Sequence, residues 1–147
     1  MIFPSDADVI SWRIHLKTSP ETVYRFLATD TGRAAFWAEA AVETDGAIHF
    51  VFPGGQIWQG KILAQDPPRR FSLVYYGGSI TTFSLSDAGS GGTDLCLTDQ
   101  GVPPSDRIEV TAGWVSVLMG LKAAADFGID LRNHDPDRTW EQGFADN

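Results

Sequence analysis

Asp99 is the residue whose position best suits chemistry with a bound molecule. It follows Leu95 and Leu97 at alternate positions of the stretch TDLCLTDQ, so in an extended strand the three side chains share the inward face. A carboxylate among apolar walls orients a ligand amine or hydroxyl, or acts as a base if burial raises its pKa. The alternative is structural, an aspartate at a strand end that caps a turn or the start of a helix.

Aromatic and hydroxyl side chains supply the rest of a candidate binding site. Apolar walls with a few polar groups suit a small amphipathic molecule. We predict ligand contacts at Trp12, Phe50, Trp58, Tyr75, Thr82, Asp99, Trp114 and Leu118. A one-residue slip of strand register would turn the strand residues to the opposite face, and rings at these spacings are also typical of an ordinary core.

The sequence lacks the residue patterns of other common catalytic and binding sites. We find no Ser-His-Asp order, G-x-S-x-G element, paired-cysteine motif or phosphate-binding loop, and we predict no catalytic residue beyond the candidate Asp99. His134, Asp135 and Asp137 are close in sequence, but the neighbouring Asn133 and Pro136 are typical of turns. We therefore expect neither a metal nor a cofactor.

Length and composition predict one domain with its own core. The chain has 147 residues, of which 43% are hydrophobic and 20% charged. Its net charge of −8 would repel phosphate backbones, so we expect no nucleic-acid partner. We also expect no membrane span and no secretory signal. The single cysteine, Cys96, cannot form an internal disulfide, and a cytoplasmic location is the expectation that follows.

Residues 108–127 carry apolar side chains at helical spacing, and Gly128 follows as a typical C-cap. At 1.5 Å per residue this helix is roughly 30 Å long, enough to cross a small domain. Beside its apolar stripe runs a column that is nearly bare at Gly113, Ser116 and Gly120. Either the polar tail of residues 129–147 packs there, or a partner subunit does and forms a homodimer.

The rest of the chain predicts short strands separated by turns. We place the strands at residues 8–17, 39–44, 47–52, 56–65, 70–76, 80–86 and 93–100. Two short helices follow the first strand, capped by Thr18 or Ser19 and by Thr29 or Asp30. Short turns force antiparallel neighbours. The prediction is an α+β fold in residues 1–128, with a curved antiparallel sheet of about seven strands wrapped on the C-terminal helix.

The order and spacing of several short motifs resemble a known family, the activator-of-heat-shock-chaperone-ATPase homologues. This resemblance also places the chain near the START-like, or helix-grip (SRPBCC), superfamily, which contains that family. The motifs are SPETVYRFL at 19–27, FW at 36–37, WQGKI at 58–62, DPPRRF at 66–71, GTDLCL at 92–97 and GW at 113–114. The chain departs from the family at Asp45-Gly46, where two glycines are frequent, and near Asp99, where a histidine is frequent.

This resemblance implies a helix-grip fold, which agrees with the elements predicted above, and it leaves three functions open. The first, which we favour because of the aromatic walls and the lack of a catalytic constellation, is non-catalytic binding of a small apolar or amphipathic molecule in a cavity between sheet and helix. The second is a chaperone ATPase regulator or stress-response interaction protein. The third is a cyclase-like or hydrolase-like enzyme that uses Asp99. One fold of this kind supports all three, so the site must decide between them.

Overall fold

One antiparallel sheet of seven strands is the frame of the molecule in the computed structural model, which describes residues 9–147. The order across the sheet is β1-β7-β6-β5-β4-β3-β2. The strands are β1 Val9–Leu16, β2 Ala40–Thr44, β3 Ala47–Val51, β4 Ile57–Asp66, β5 Arg70–Val74, β6 Ile80–Asp87 and β7 Thr93–Gln100. These bounds confirm the predicted strands to within two residues. Asp8, predicted to begin β1, lies outside the described residues.

Two short helices connect β1 to β2, as predicted. Helix α1 is Pro20–Ala28 and helix α2 is Asp30–Ala34. The Ser19 hydroxyl accepts from the Thr22 N–H at 3.4 Å, and the Thr29 hydroxyl accepts from the Gly32 N–H at 3.1 Å. The caps are therefore Ser19 and Thr29, which decides both alternatives left open by the sequence.

Helix α3, Arg107–Phe127, packs its buried face on the core. Trp114, Leu118 and Leu121 are buried there among side chains of the sheet. Gly128 ends the helix with a left-handed φ of 64°, and its N–H donates to the Ala124 carbonyl at 3.1 Å. The predicted helix-grip arrangement is confirmed.

By length and a hydropathy of 1.3, the segment Pro104–Phe127 would also be able to cross a membrane. The core helix of a soluble protein passes the same test. Three residues of this segment, Trp114, Leu118 and Leu121, pack in the core of the domain.

Part of the bare column of α3 is covered by the chain itself. A Cβ on Gly120 would lie 3.2 Å from the Phe36 carbonyl oxygen, so this position packs on the chain that precedes β2. The Ser116 hydroxyl donates to the Ala145 carbonyl at 3.0 Å. Of the two alternatives for this column, packing of the tail is therefore seen at Ser116, whereas a Cβ at Gly113 would meet nothing within 4 Å.

The C-terminal end of α3 is fixed by Asp126. Its carboxylate accepts from the Lys17 N–H at 2.9 Å, and from the Thr18 N–H at 3.0 Å and the Thr18 hydroxyl at 2.7 Å. Burial opposes ionisation of this group, but the hydrogen bonds outweigh it and the pKa of Asp126 is lowered. These bonds tie the last turn of α3 to the segment between β1 and α1.

Arg33 is a fully buried cation that joins α2 to the sheet. It donates to the Ala41 carbonyl at 2.9 Å and to the Leu27 carbonyl at 2.9 Å, and it pairs with Asp30. Burial lowers the pKa of the guanidinium, and the charge of Asp30 opposes that shift. Arg33 therefore satisfies two carbonyl groups that have no access to water.

Replacing Arg33 with methionine keeps an unbranched apolar stem and removes all of the donors of the side chain. We expect Arg33→Met to lower the free energy of unfolding by about 3 kcal/mol, because buried carbonyl oxygens lose their partners. Urea denaturation measures this loss. The matched Arg13→Met, at an exposed position of β1, should stay within about 0.5 kcal/mol of the parent. Equal effects at the two sites would contradict the role given to Arg33.

Candidate functional site

A cavity of about 250 Å³ lies between the N-terminal half of α3, the sheet and the C-terminal tail. Most of its wall is aromatic. The rings come from Trp37, Phe52, Trp58, Tyr75, Tyr76, Trp114 and Trp140. Because pockets that bind small molecules are mostly apolar with a few polar groups, this composition is typical of a ligand site.

The rings of the inner wall hold one another in place. The Tyr75 ring centroid lies 4.9 Å from that of Trp114 and 5.6 Å from those of Trp37 and Trp58. The Trp37 Nε1–H donates to the Tyr75 hydroxyl at 3.0 Å. Trp58 stacks on Phe52 at 4.2 Å, while its own Nε1 is buried without a hydrogen-bond partner. Such mutual packing fixes the rotamers of the wall before any ligand arrives.

Asp99 connects the sheet to α3 at the inner end of the cavity. It is 1% exposed and shares the buried face of β7 with Leu95 and Leu97, as predicted from the alternation. Its Oδ1 accepts from the Thr81 hydroxyl at 3.0 Å, and its Oδ2 accepts from the Trp114 Nε1–H at 2.8 Å. Asp99 thus joins β6, β7 and α3 rather than capping a turn or a helix.

The hydroxyl of Tyr75 remains protonated in this setting. Its burial raises the pKa, and the negative charge of Asp99 raises it further, while the hydrogen bond from Trp37 works in the opposite direction. A phenol that stays neutral is a hydrogen-bonding group for a ligand and does not readily act as a base at neutral pH.

The tail of residues 129–147 closes the outer side of the cavity. The Trp140 Nε1–H donates to Glu109 Oε1 at 3.1 Å. The Gln56 amide donates to Glu141, which brings the tail to the turn between β3 and β4. These contacts place Trp140 and Glu141 in the cavity wall, so the tail completes a site begun by the sheet and α3.

Arg132 anchors the start of this tail. Its guanidinium donates to the Ala38 carbonyl at 2.8 Å and to the Ala34 carbonyl at 2.6 Å, and it pairs with Asp130 at 3.0 Å. Although Arg132 borders the cavity, its charge is therefore already matched by Asp130.

A comparison with known protein families supports the same fold. The family model described as activator of Hsp90 ATPase homolog 1-like protein matches residues 17–126. The chain belongs to this family. The resemblance carried by the sequence motifs is confirmed. Among curated proteins, no match was found.

Solved structures share the fold of this activator of Hsp90 ATPase homolog 1-like chain. The Aha1 dimer from Colwellia psychrerythraea is 24% identical, with a TM-score of 0.73 over 82% of this chain and 97% of that one. Protein CV1439 from Chromobacterium violaceum is 25% identical, with a TM-score of 0.67 over 81% and 98%. CalU16 from Micromonospora echinospora is 26% identical, with a TM-score of 0.64 over 78% and 72%.

Half of the predicted ligand contacts lie at the cavity. The structure brings together Trp58, Tyr75, Asp99 and Trp114 in its wall. Phe50 is buried behind the wall, with its ring 5.3 Å from that of Tyr75. Leu118 is a buried core residue one helical turn beyond Trp114. Both support the wall without lining it.

Two of the predicted contacts lie elsewhere. Thr82 bonds to Ser72 at 3.1 Å on the face of β6 opposite to Phe83, and Thr81 takes the inward position instead. Trp12 pairs in register with Leu97 but is 40% exposed, because β1 is an edge strand. Neither residue borders the cavity.

Several wall residues were absent from the predicted site. They are Trp37, Phe52, Glu109, Gly113, Ser116, Trp140 and Glu141. The bare column of α3 held the signal for part of this set, since Gly113 and Ser116 belong to it. Trp140 and Glu141 reach the cavity by contacts across 31 and 85 residues of sequence, which no local pattern reveals.

Within residues 9–147, no group of three or more His, Cys, Asp or Glu side chains is arranged to hold a metal ion. His134, considered above as part of such a group, lies instead between two carboxylates. Its Nδ1 is 2.6 Å from Glu39 and its Nε2 is 2.7 Å from Asp130. Both ring nitrogens donate only when the imidazole is protonated. The hydrogen bond with Asp130, and to a smaller extent that with Glu39, raises the pKa of His134.

The His134 contacts predict a pH-dependent attachment of the tail. Because the folded pKa is raised, the stabilisation is complete below about pH 6.5, the ordinary histidine value, and is lost as the pH rises through the folded pKa. We expect His134→Gln to lower the urea midpoint more at pH 6 than at pH 8.5. The control is His49→Gln, at an exposed position of β3. A pH-independent difference between His134→Gln and the parent would contradict the ion-pair account.

Proposed function

We propose that this protein binds a small, largely apolar molecule in the cavity between the sheet and α3, without catalysing a reaction. The observation that carries the proposal is the aromatic cavity of about 250 Å³. Its position on the buried side of the sheet gives a ligand contact with several rings at once. Burial of apolar surface stabilises such a complex by roughly 25 cal/mol for each Å² removed from water.

The chemistry of Asp99 supports binding over catalysis. Each carboxylate oxygen already accepts a hydrogen bond, from Thr81 and from Trp114. A base must reach the proton that it removes, whereas both oxygens of Asp99 are held by donors of the protein itself. The neutral Tyr75 hydroxyl beside it is likewise suited to orienting a ligand.

Gly113 is a position at which a substitution can fill the cavity and so test the proposal. It borders the cavity, and a Cβ placed on it would meet no other atom within 4 Å. A larger side chain there would project into open space. Since glycine inside a helix costs about 1 kcal/mol relative to alanine, filling this position should not weaken the fold.

We expect Gly113→Leu to abolish binding of a neutral fluorescent probe, N-phenyl-1-naphthylamine, while the thermal midpoint of unfolding stays equal or rises. The side chain would fill the space that the probe needs. Probe fluorescence during titration measures affinity, and circular dichroism measures the midpoint. Native mass spectrometry of protein purified from its source cells provides a second readout, in which a small molecule bound to the parent should be missing from Gly113→Leu.

Ala112→Leu is the matched control, because Ala112 is an exposed neighbour on the same helix. It places the same leucine side chain outside the cavity and should bind the probe as the parent does. If Gly113→Leu and the parent bind the probe equally, the cavity is not the binding site and the proposal fails.

A second candidate function is an interaction role, favoured by apolar side chains on the outer side of α3. Ile108 is 88% exposed, Met119 49% and Val115 40%. The Aha1 structure noted above is that of a dimer, and the family is named for activation of the Hsp90 ATPase. A second copy of the chain or a chaperone would cover this outer face.

This alternative predicts that Met119→Asp, but not Gly113→Leu, changes assembly. A dimer formed through the outer face should dissociate at least tenfold more readily in Met119→Asp, because a charge is buried at the interface. Sedimentation velocity over a range of protein concentrations measures this. A monomer at all concentrations, together with an Hsp90 ATPase rate that does not change at saturating protein, would remove the interaction role.

A further inference from the structure

The cavity joins aromatic walls to an excess of negative charge. Four carboxylates border it, at Asp99, Asp106, Glu109 and Glu141. Within residues 9–147, none of the four forms an ion pair with a lysine, arginine or histidine. The one arginine of the wall, Arg132, is matched by Asp130 and by two backbone carbonyls. The charged side chains that border the site are therefore mostly acidic.

The aromatic rings of the wall favour a cation as well. Tyr75, Trp37 and Trp58 lie at steep mutual angles, with interplanar values of 44° and 81° about Tyr75. Aromatic rings make up most of the wall, and the face of an aromatic ring attracts cations. When an organic ammonium group leaves water, aromatic rings and nearby carboxylates replace much of the hydration free energy that it loses.

The negative groups occupy two levels of the cavity. Asp99 is buried at the inner end, held by Thr81 and Trp114. Glu109 and Glu141 lie at the outer end, where each accepts from a neutral donor, Trp140 or Gln56. These donors are neutral and supply no cationic side chain, while the first turn of α3, where Glu109 lies, favours a carboxylate. A ligand that supplies one positive charge would pair with these carboxylates, whereas an anion would be repelled.

We infer that the ligand is an organic cation, an apolar or aromatic body that carries an amine protonated at neutral pH. This inference rests on the proposed function and specifies the chemical class of molecule that the cavity takes. The apolar body contacts the ring walls, and the ammonium group faces the carboxylates. The acidic surface of the whole chain, with a net charge of −8, assists the approach of such a molecule at low salt.

Three probes that share a naphthalene ring and differ in charge distinguish the effect of charge on binding from the effect of shape. They are 1-naphthylmethylamine, which is cationic at pH 7, 1-naphthalenemethanol, which is neutral, and 1-naphthoate, which is anionic. Fluorescence titration at low ionic strength should give the tightest dissociation constant for the amine, about tenfold below that of the alcohol, and the weakest for naphthoate. Added salt should weaken binding of the amine and leave binding of the alcohol unchanged.

A charge-only variant locates the effect. Glu109→Gln combined with Glu141→Gln keeps an oxygen that accepts from Trp140 and Gln56, and both positions are exposed, so the fold is retained. We expect the amine to bind about fivefold more weakly and the alcohol to stay within about twofold. The control is Glu21→Gln combined with Glu43→Gln, which removes the same net charge at exposed positions away from the cavity and should leave all three affinities unchanged.

The outcomes distinguish this inference from the proposed function. If the alcohol binds, Gly113→Leu abolishes its binding, and the amine binds no tighter, then the cavity binds ligands but the preference for a cation is overturned. If naphthoate binds best, the inference is likewise overturned. If no probe binds to the parent protein, or if Gly113→Leu binds all three as the parent does, both the inference and the proposed function fail.

Discussion

The contact on which the cavity depends is the pair of hydrogen bonds received by Asp99. A carboxylate buried in an apolar core is costly unless donors reach it, and here one donor comes from β6 and the other from the indole of α3. At this point the spacing between sheet and helix is therefore set by a polar contact as well as by packing of α3 on the core. With Trp114 held at this distance, its ring forms a wall and the space beside it stays open.

Much of the fold follows from local patterns. Alternating apolar residues give the strands, Pro20 and Gly128 mark helix ends, and parity alone places Asp99 on the buried face. The same parity would have selected Thr81 over Thr82, because Phe83 and Leu85 set the inward face of β6. Adjacent threonines present a hydroxyl at either register, so residue type alone could not separate them.

The features that the sequence could not predict depend on contacts between segments that are distant in sequence. Trp12 has the inward parity of β1, yet its exposure depends on β1 being an edge strand, which follows from the order of strands and not from the alternation. The cavity wall depends on the path of the tail, which is determined by contacts such as those of Arg132 with Ala34 and Ala38. Such contacts join segments that are distant in sequence, and they produce no periodic pattern in the amino-acid sequence.

The segment that completes the cavity lies outside the part of the chain that defines the family. The match to the family model ends at residue 126, whereas Trp140 and Glu141 come after it and do not belong to the hydrophobic core. Residues free of core packing tolerate substitution well. Divergence among relatives can therefore reshape one side of the cavity while the sheet and α3 stay the same, and an alignment limited to the shared domain would not record that change.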